Sequence, residues 1–408
     1  MFMCIDLKSF YASVECKLRH LDIFTTPLVV CDILRSKGAI TLAVTPYLKK
    51  LGIASRSRAY DLPRDIPIIY ARPRMHKYIE ASCDVYRCYL NFFSASDIYM
   101  YSIDEGFMDL GPYLKYYNMS PLDLARMIKK FVLKETGLVV TIGIGENMFQ
   151  AKVALDILSK HNAEEIGIVN YENFSETIGN VKPLNKIWCI GDRIMARLNK
   201  MGYFCLNDIM DEDKDRLKKE FGLIGLEIFD HARGIDSTKL KEAKNSILVI
   251  PKSVQESQIL FKDYVKTNAR QIVVEMVNEL AIKLFNKSLK GDTISLFIGY
   301  SNNTCYHMSM RLNKFTNLYT DLYKGFMKIF EYVPDGLIRR VGVSISNICK
   351  NHFQMSIFDN LDKREDKVID SICKIRKVYG KNSLVRAVSL MPDSNQLNRN
   401  LMIGGHNA

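Results

Sequence analysis

The chain has 408 residues, 48% hydrophobic and 25% charged, an ordinary globular balance and enough length for about three domains at ~100–200 residues each. No apolar run approaches the ~20 residues of a membrane span, and the opening Met1-Phe2-Met3-Cys4-Ile5-Asp6 lacks the basic region of a signal peptide. Ten scattered cysteines without a Cys-x-x-Cys pair suit a reducing cytoplasm better than a disulfide framework or a zinc site.

The net charge of +12 is unevenly placed. Residues 17–77 hold twelve Lys/Arg against four Asp/Glu, residues 78–166 eight against twelve, and residues 245–350 fourteen against eight. An acidic segment between two basic ones has two readings. It is solvated surface, or it is a metal-binding, carboxylate-rich centre surrounded by basic modules that hold phosphates.

Along the chain, residues 1–6 read as a short strand ending at Asp6. A helix is expected from about Ser9, with Phe10, Val14 and Leu18 on one side. The basic stretch 17–77 then interrupts as an inserted subdomain. Tyr99–Ser102 and Phe107–Leu110 are β-rich runs around Ile103-Asp104-Glu105-Gly106, a hairpin signal. Leu122–Leu133 has helical spacing and stops at Gly137. Val139–Ile144 is an apolar strand and Phe149–Leu158 another helix. This order predicts an antiparallel sheet with helices on one face.

Residues 183–233 read as compact and helical, punctuated by Gly191, Gly202, Gly222 and Gly225, and Lys239–Asn245 as a polar linker. A second unit follows. Ile247–Ile250 reads as a strand, and 272–285 has helical apolar spacing. Ile294–Tyr300 alternates and Met308–Leu312 can pair with it. Leu318, Leu322, Phe326 and Ile329 mark a second helix, and Val341, Val343 and Ile345 a last strand. That is β-α-β-β-α-β, a split βαβ pattern. Residues 351–408 are polar and less regular. There is no internal repeat or low-complexity tract.

Nucleotidyl transfer needs positive charge at the transferring phosphorus and at the attacking and leaving oxygens, which two Mg²⁺ ions about 3.5–4 Å apart supply. Mg²⁺ takes oxygen ligands, so carboxylates must converge. Asp6 at a strand end, and Asp104 and Glu105 at a hairpin tip, meet at one rim if their strands are neighbours. The plainer alternative makes Asp104-Glu105 a polar turn and Asp6 a helix-start residue.

Cys4-Ile5-Asp6-Leu7-Lys8-Ser9-Phe10-Tyr11-Ala12-Ser13-Val14-Glu15 resembles the opening motif of the Y-family DNA polymerases. Tyr101-Ser102-Ile103-Asp104-Glu105-Gly106-Phe107-Met108-Asp109 resembles their Ser-Ile-Asp-Glu motif. The similarity runs through nearly the whole chain and lies nearest the UmuC/UvrX-like subgroup of Gram-positive bacteria, plasmids and phages. The resemblance implies an α+β, multi-domain right-hand polymerase that bypasses damaged DNA. Its parts would be a ferredoxin-like palm (1–16 and 78–166), inserted fingers (17–77), a helical thumb (167–238) and a linker (239–245). A split-βαβ little finger (246–350) and a C-terminal tail (351–408) would follow.

The same resemblance implies roles residue by residue. Asp6, Asp104, Glu105 and the Leu7 backbone carbonyl would hold two Mg²⁺ ions, with Mn²⁺ able to substitute. Tyr11 matches the ring that collides with a ribose 2′-OH, and Phe10 is its neighbour. Tyr47 and Lys50 match a triphosphate-binding pair usually found within Tyr-Glu-Ala-Arg, Lys keeping the charge of Arg but not its bidentate fork. Lys160 matches a triphosphate-contacting lysine late in the palm, and Asp109 reads as structural. Ile187-Trp188-Cys189-Ile190-Gly191 resembles a helix-hairpin-helix turn whose first glycine is replaced by Cys189; Gly191 would offer its N–H to a DNA phosphate.

Lys252, Ser253, Arg339 and Arg340 match a DNA-facing sheet. Adjacent strand residues point to opposite faces, so at most one of the two arginines should lie flat on DNA. Gln354-Met355-Ser356-Ile357-Phe358 resembles the pentapeptide that docks in the bacterial sliding clamp (β subunit). Primer-template DNA and deoxynucleoside triphosphates are the implied substrates, and a recombinase filament in the DNA-damage (SOS) response is a further implied partner.

Two other readings compete. A non-enzymatic protein of the same fold predicts a damaged acidic triad, yet all three acids are present. A nucleotide cyclase needs neither a basic C-terminal domain nor a clamp motif. No Walker A lysine, zinc-protease pair or nucleophile elbow supports other chemistry, and no segment suggests a proofreading exonuclease.

Overall fold

Phe2–Leu7 is a near-continuous apolar run, the pattern of a strand covered on both faces. In the computed structural model it is β1, the central strand of a five-stranded sheet. The structure describes residues 1–33, 38–245, 250–350 and 364–408, leaving aside the side chain of His161. The chain divides into two compact units, Met1–Leu248 and Val249–Ala408.

In the first unit, β1 leads into α1 (Phe10–Leu18), in which Phe10 and Val14 are buried while Leu18 is exposed. The basic insertion then forms β2 (Leu28–Val30), β3 (Ala43–Val44), α2 (Pro46–Lys50) and β4 (Ile69–Ala71). Its sheet has the order β3-β2-β4 and its own core of Val29, Cys31, Val44, Leu48 and Leu62. The chain returns through α3 (Met75–Tyr89) to β5 (Ile98–Met100) and β6 (Glu105–Asp109), then α4 (Gly111–Tyr117) and α5 (Pro121–Thr136). Helix α5 carries the full set of boundary signals. Ser120 caps the Asp123 N–H, Pro121 occupies the first turn, and Gly137 ends the helix at φ 67°.

Strand β7 (Val140–Gly145) follows, then α6 (Met148–Val153), extended by a π turn (Ala154–Leu158) and a 3₁₀ turn (Ser159–His161), and β8 (Ile166–Ile168). The sheet order is β5-β6-β1-β7-β8.

Two expectations for this sheet are corrected. It is not wholly antiparallel, because β8 pairs with β7 in parallel. Nor do its helices share one face. A Cβ on Gly143 would lie 2.1 Å from the Ala151 carbonyl oxygen, and one on Gly145 2.3 Å from the Ala151 nitrogen, so α6 presses on that face. The alternate residues Val140, Ile142 and Ile144 are fully buried on the other face, and α5 also packs against β7. Every residue of β7 is therefore buried.

The remaining helices of the unit are α7 (Asp192–Lys200), α8 (Lys214–Phe221), α9 (Leu223–Ala232) and α10 (Leu240–Asn245). The core around α7–α9 includes Leu184, Ile187, Ile190, Leu198, Leu206 and Ile228, and it reaches Phe149 and Val153 of α6. Residues 240–245 are not a polar linker. Leu240 is buried with Cys4, Phe107, Met148, Ala151 and Leu155, so α10 belongs to the core of the first sheet.

The second unit reads β9 (Ser253–Tyr264), α11 (Lys266–Asn286), β10 (Leu289–Tyr300), β11 (Cys305–Thr316), α12 (Tyr319–Glu331), β12 (Ile338–Ser346) and β13 (Cys349–Lys350). The main sheet has the order β11-β10-β12-β9, and α11 and α12 pack on one face through Ile272, Val273, Met276, Leu280, Phe326 and Ile329. The expected β-α-β-β-α-β order stands, with the first strand starting at Ser253. Residues 247–249 of the expected strand lie outside the described residues, as do Gln354, Met355, Ser356, Ile357 and Phe358.

The polar tail is not irregular where it is described. Residues 364–408 form α13 (Arg364–Tyr379), short turns, and a Met402–Ile403/His406–Asn407 hairpin, with α13 against α11. No helix among the described residues is long and apolar enough to cross a membrane.

Candidate active site

The site lies at one end of the first sheet. In the β1–β6 register Asp6 stands opposite Glu105, and in the β1–β7 register it stands opposite Thr141. Period-2 alternation puts Asp6, Glu105 and Thr141 on the face covered by α6. Asp104 occupies the turn before β6, its carbonyl accepting the Leu7 N–H at 2.9 Å and its carboxylate accepting the Ser102 hydroxyl at 2.6 Å. Leu7 follows Asp6 at the strand end with its side chain buried.

Two lysines of the helix above interleave with these acids. Lys152 Nζ lies 2.9 Å from Glu105 Oε2 and 3.0 Å from Asp156. Lys160 Nζ lies 2.7 Å from Asp156 and 3.2 Å from Asp6 Oδ2. Five charges thus alternate in sign from Glu105 to Asp6. The π turn over 154–158 lies between the two lysines.

The electrostatics follow from this crowding. Burial pushes the Asp6 carboxyl up to about 6; Lys160 opposes the rise, and Asp104 and Glu105 add to it. Burial pulls Lys152 down, but Asp156 and Glu105 outweigh it and hold the ammonium above its usual range. Lys160 is likewise raised by Asp6 and Asp156 against burial. Cys4, whose Sγ sits 3.4 Å from Glu105 Oε1, is held as a neutral thiol by burial and by that carboxylate.

Tyr11 lies near the same end: burial raises its phenol, and Asp104 adds to the rise. Phe10 is buried beside it, ring centroids 5.4 Å apart.

Lys49 and Lys50 end α2, and Lys49 lies within electrostatic reach of Asp6, Lys160 and Lys8. The Lys49 ammonium is pulled down by burial, held up by Asp6 and pushed down by Lys160 and Lys8. Tyr47 is half-buried and packs against the insertion's own core. The motif spacing from Tyr47 matches Lys50, and nothing in the sequence singles out Lys49; on a helix the two lysines point about 100° apart.

Among the described residues no three Asp, Glu, His or Cys side chains gather closely enough to hold a metal, and Glu105 is engaged by Lys152. The donor set still fits a hard divalent cation. Asp6, Asp104 and Glu105 offer only oxygen, and beyond the effect of burial Asp104 and Glu105 add to the rise of the Asp6 carboxyl, a repulsion that such a cation would offset.

Elsewhere in the first unit, Gly191 is the N-cap of α7 and Cys189 has φ 73°, the left-handed region expected where the turn motif has glycine. Trp188 packs on Tyr101 and Phe107, with centroids 5.9 and 6.2 Å away.

In the second unit, the sheet face opposite α11 and α12 carries small polar residues: Ser295, Ser309, Ser344 and Ser257. A register shift between Ile338 and Arg340 exposes both arginines. Arg340 lies over the Phe297 ring at 5.1 Å on this face, whereas Arg339 pairs with Asp263 at 3.3 Å. Lys252 and Ser253 are exposed where β9 begins.

The impB/mucB/samB family matches residues 5–156, and its C-terminal domain matches residues 251–357. A protein named for UV-damage repair, UvrX of Bacillus subtilis (strain 168), is 33% identical over 99% of this chain and 97% of its own length. The chain belongs to the Y family of DNA polymerases, in its UmuC/UvrX-like branch. DNA polymerase IV 2 of the same organism is 27% identical over 98% of this chain and 97% of its own. A Y-family DNA polymerase chimera of Dbh and Dpo4 matches in fold, with a TM-score of 0.67, 21% identity, and 86% and 99% of the two chains covered. This Y-family member is a DNA-directed DNA polymerase of the translesion class, and polymerases of this family use divalent metal ions.

Proposed function

We propose that the polymerase adds deoxynucleotides to a primer 3′ end at the rim formed by Asp6, Asp104 and Glu105. The observation that carries this reading is the register pairing of Asp6 with Glu105, Asp104 being the next residue at the same strand end. Asp6, Asp104, Glu105 and the Leu7 carbonyl would hold two Mg²⁺ ions, for which Mn²⁺ can substitute. When bound, these ions offset charge on the transferring phosphoryl group and on the attacking and leaving oxygens.

The chain's own cations do the rest. Lys160, with Tyr47 and Lys50 of the fingers, holds the triphosphate, and Lys49 adds its charge near Asp6; the lysines act as point charges. Tyr11, beside Asp104, lies under the sugar and excludes a 2′-OH, with Phe10 packing behind it.

The domain roles follow: palm for 1–16 and 78–166, fingers for 17–77, thumb for 167–238, little finger for 246–350. The thumb turn at Gly191 and the polar face bearing Arg340, with Lys252 and Ser253, hold primer-template DNA by its phosphates. Such contacts position without reading sequence. Gln354–Phe358 docks the enzyme on the sliding clamp, and a recombinase filament is a second partner.

The test is primer extension. Asp104→Ala and Asp6→Ala should abolish insertion while DNA binding persists, because these groups sit at the reacting end and not on the DNA-holding surfaces. Near wild-type extension by Asp104→Ala would refute the assignment.

A further inference from the structure

We propose that Glu15 and Tyr78 are positioning residues for sugar selection, fixing the ring of Tyr11 from behind. The inference rests on the reading of Tyr11 as the sugar gate.

Tyr11 and Tyr78 stack, ring centroids 4.4 Å apart and planes 17° from parallel. Phe10 meets Tyr78 edge-on at 6.4 Å, so the ring behind Tyr11 is boxed as well as stacked. Tyr78 has no solvent exposure, and its hydroxyl donates to Glu15 Oε1 at 2.8 Å.

Glu15 is itself fully buried and is gripped by two arginines. Arg74 donates through Nε to Oε1 at 3.0 Å and through Nη2 to Oε2 at 2.7 Å, a bidentate fork. Arg19 also pairs with Oε2, and donates to the Glu15 backbone carbonyl at 3.0 Å. Two of the arginines in the basic stretch 17–77 therefore serve a carboxylate, not a phosphate.

The spacing makes this a clamp. Tyr11 and Glu15 are four residues apart on α1, and Arg74 and Tyr78 are four apart at the start of α3. Residues so spaced lie one above the other on a helix. The stack joins one member of each pair, and the fork joins the other.

Packing alone does not call for a buried charge here, since apolar residues of similar size hold two helices together as well. What the carboxylate adds is direction: it accepts one phenol at one place. A steric gate needs that, because a ring displaced by about 1 Å no longer meets the group it excludes.

The experiment is single-nucleotide insertion with paired deoxy- and ribonucleoside triphosphates. Tyr78→Phe keeps the ring and the stack but removes the bond to Glu15. It should lower discrimination against ribonucleotides by roughly tenfold, through a higher kcat/KM for the ribonucleotide, with deoxynucleotide insertion changing less. Arg74→Lys keeps the charge but loses the fork, and should shift the ratio in the same direction by less. Thermal melts establish that each variant is folded.

Tyr11→Ala sets the full extent of gate opening. If it opens the gate while folded Tyr78→Phe and Arg74→Lys leave the ratio unchanged, the anchoring role is overturned. A uniform fall for both sugars overturns it too, since that is general destabilisation. If Tyr11→Ala leaves the ratio unchanged, the gate reading fails and the inference with it.

Discussion

Glu105 and Lys152 form a buried ion pair across the sheet–helix interface, Oε2 to Nζ 2.9 Å, with side chains only 11% and 8% exposed. The acid that opens β6 is thereby balanced by a cation on α6. Removing one partner of a buried pair leaves an uncompensated charge and costs about 3–5 kcal/mol, whereas removing both is far cheaper. Lys152→Met should therefore destabilise the metal-free protein by about 3–5 kcal/mol, and Lys152→Met with Glu105→Gln should recover most of the loss. Urea unfolding of the parent, both single variants and the double variant measures the coupling. Additive effects would mean that the pair is not formed in solution.

The Asp6 carboxyl gives a pH dependence of definite sign. Its folded value of about 6 lies above the ordinary 3.8. Between those values the folded state binds more protons than the unfolded one, so stability falls as pH rises through the window and levels off above it. About two units correspond to on the order of 3 kcal/mol. Glu15 and Glu165 are held below their usual range and act in the opposite sense at lower pH, so the comparison must be differential. In chelator-treated protein, Asp6→Asn should lack the fall and be more stable than the parent at pH 7. Guanidinium unfolding from pH 4.5 to 7.5 reads the difference, and parallel curves for the two proteins would contradict it.

The strand–hairpin–helix order around Asp6, Asp104 and Glu105 was legible because local signals agree there. β1 is apolar on both faces, and Ser120, Pro121 and Gly137 bracket α5. What was not legible depends on partners distant in sequence. Nothing local reveals that Gly143 and Gly145 are small because α6 lies against them, or that β8 adds in parallel. Leu240 sits in a run rich in lysine and reads as linker until the Cys4 and Phe107 cluster receives it. Lys152 and Asp156 carry no motif signal of their own, and only the paired distances to Glu105 and Lys160 link them to the site.

Cys189 offers a stabilising substitution. Its φ of 73° is costly for a residue with a Cβ and nearly free for glycine. Relief of roughly 1–2 kcal/mol is offset by about 0.4–1 kcal/mol from the more flexible unfolded chain of a glycine variant. Cys189→Gly should therefore raise stability by up to about 1.5 kcal/mol and also give the turn the Gly-x-Gly pattern. Thermal unfolding of the two proteins under reducing conditions checks it. A lower Tm for the variant would show that the thiol's packing outweighs the backbone strain.

The C-terminal tail accounts for an oddity of α11. That helix buries Glu275, Asn278 and Glu279 as well as its apolar stripe, so its middle, residues 272–282, is covered all round. The tail supplies the cover and the partners. Arg376 Nη1 lies 2.8 Å from Glu279 Oε1, Gln396 Nε2 donates to the same oxygen at 2.6 Å, and Arg386 Nε donates to Asn278 at 2.7 Å. Arg376 also donates through Nε to the Leu384 carbonyl at 2.8 Å, tying α13 to the turn that follows it. A polar helix face buried this way commits the tail to a fixed position, since an undocked tail would separate Arg376 from Glu279 and Arg386 from Asn278. Arg376→Met should cost about 3–5 kcal/mol of tail docking, because Glu279 keeps only the neutral Gln396 donor, and Arg376→Met with Glu279→Met should restore much of it. Hydrogen exchange is the direct readout. In Arg376→Met the amides of α13 and α11 should exchange faster while those of β1, β6 and β7 keep their protection. Unchanged protection across α13 would mean that the ion pair does not hold the tail, and a loss of protection throughout both units would mean that the variant unfolds globally instead of releasing the tail.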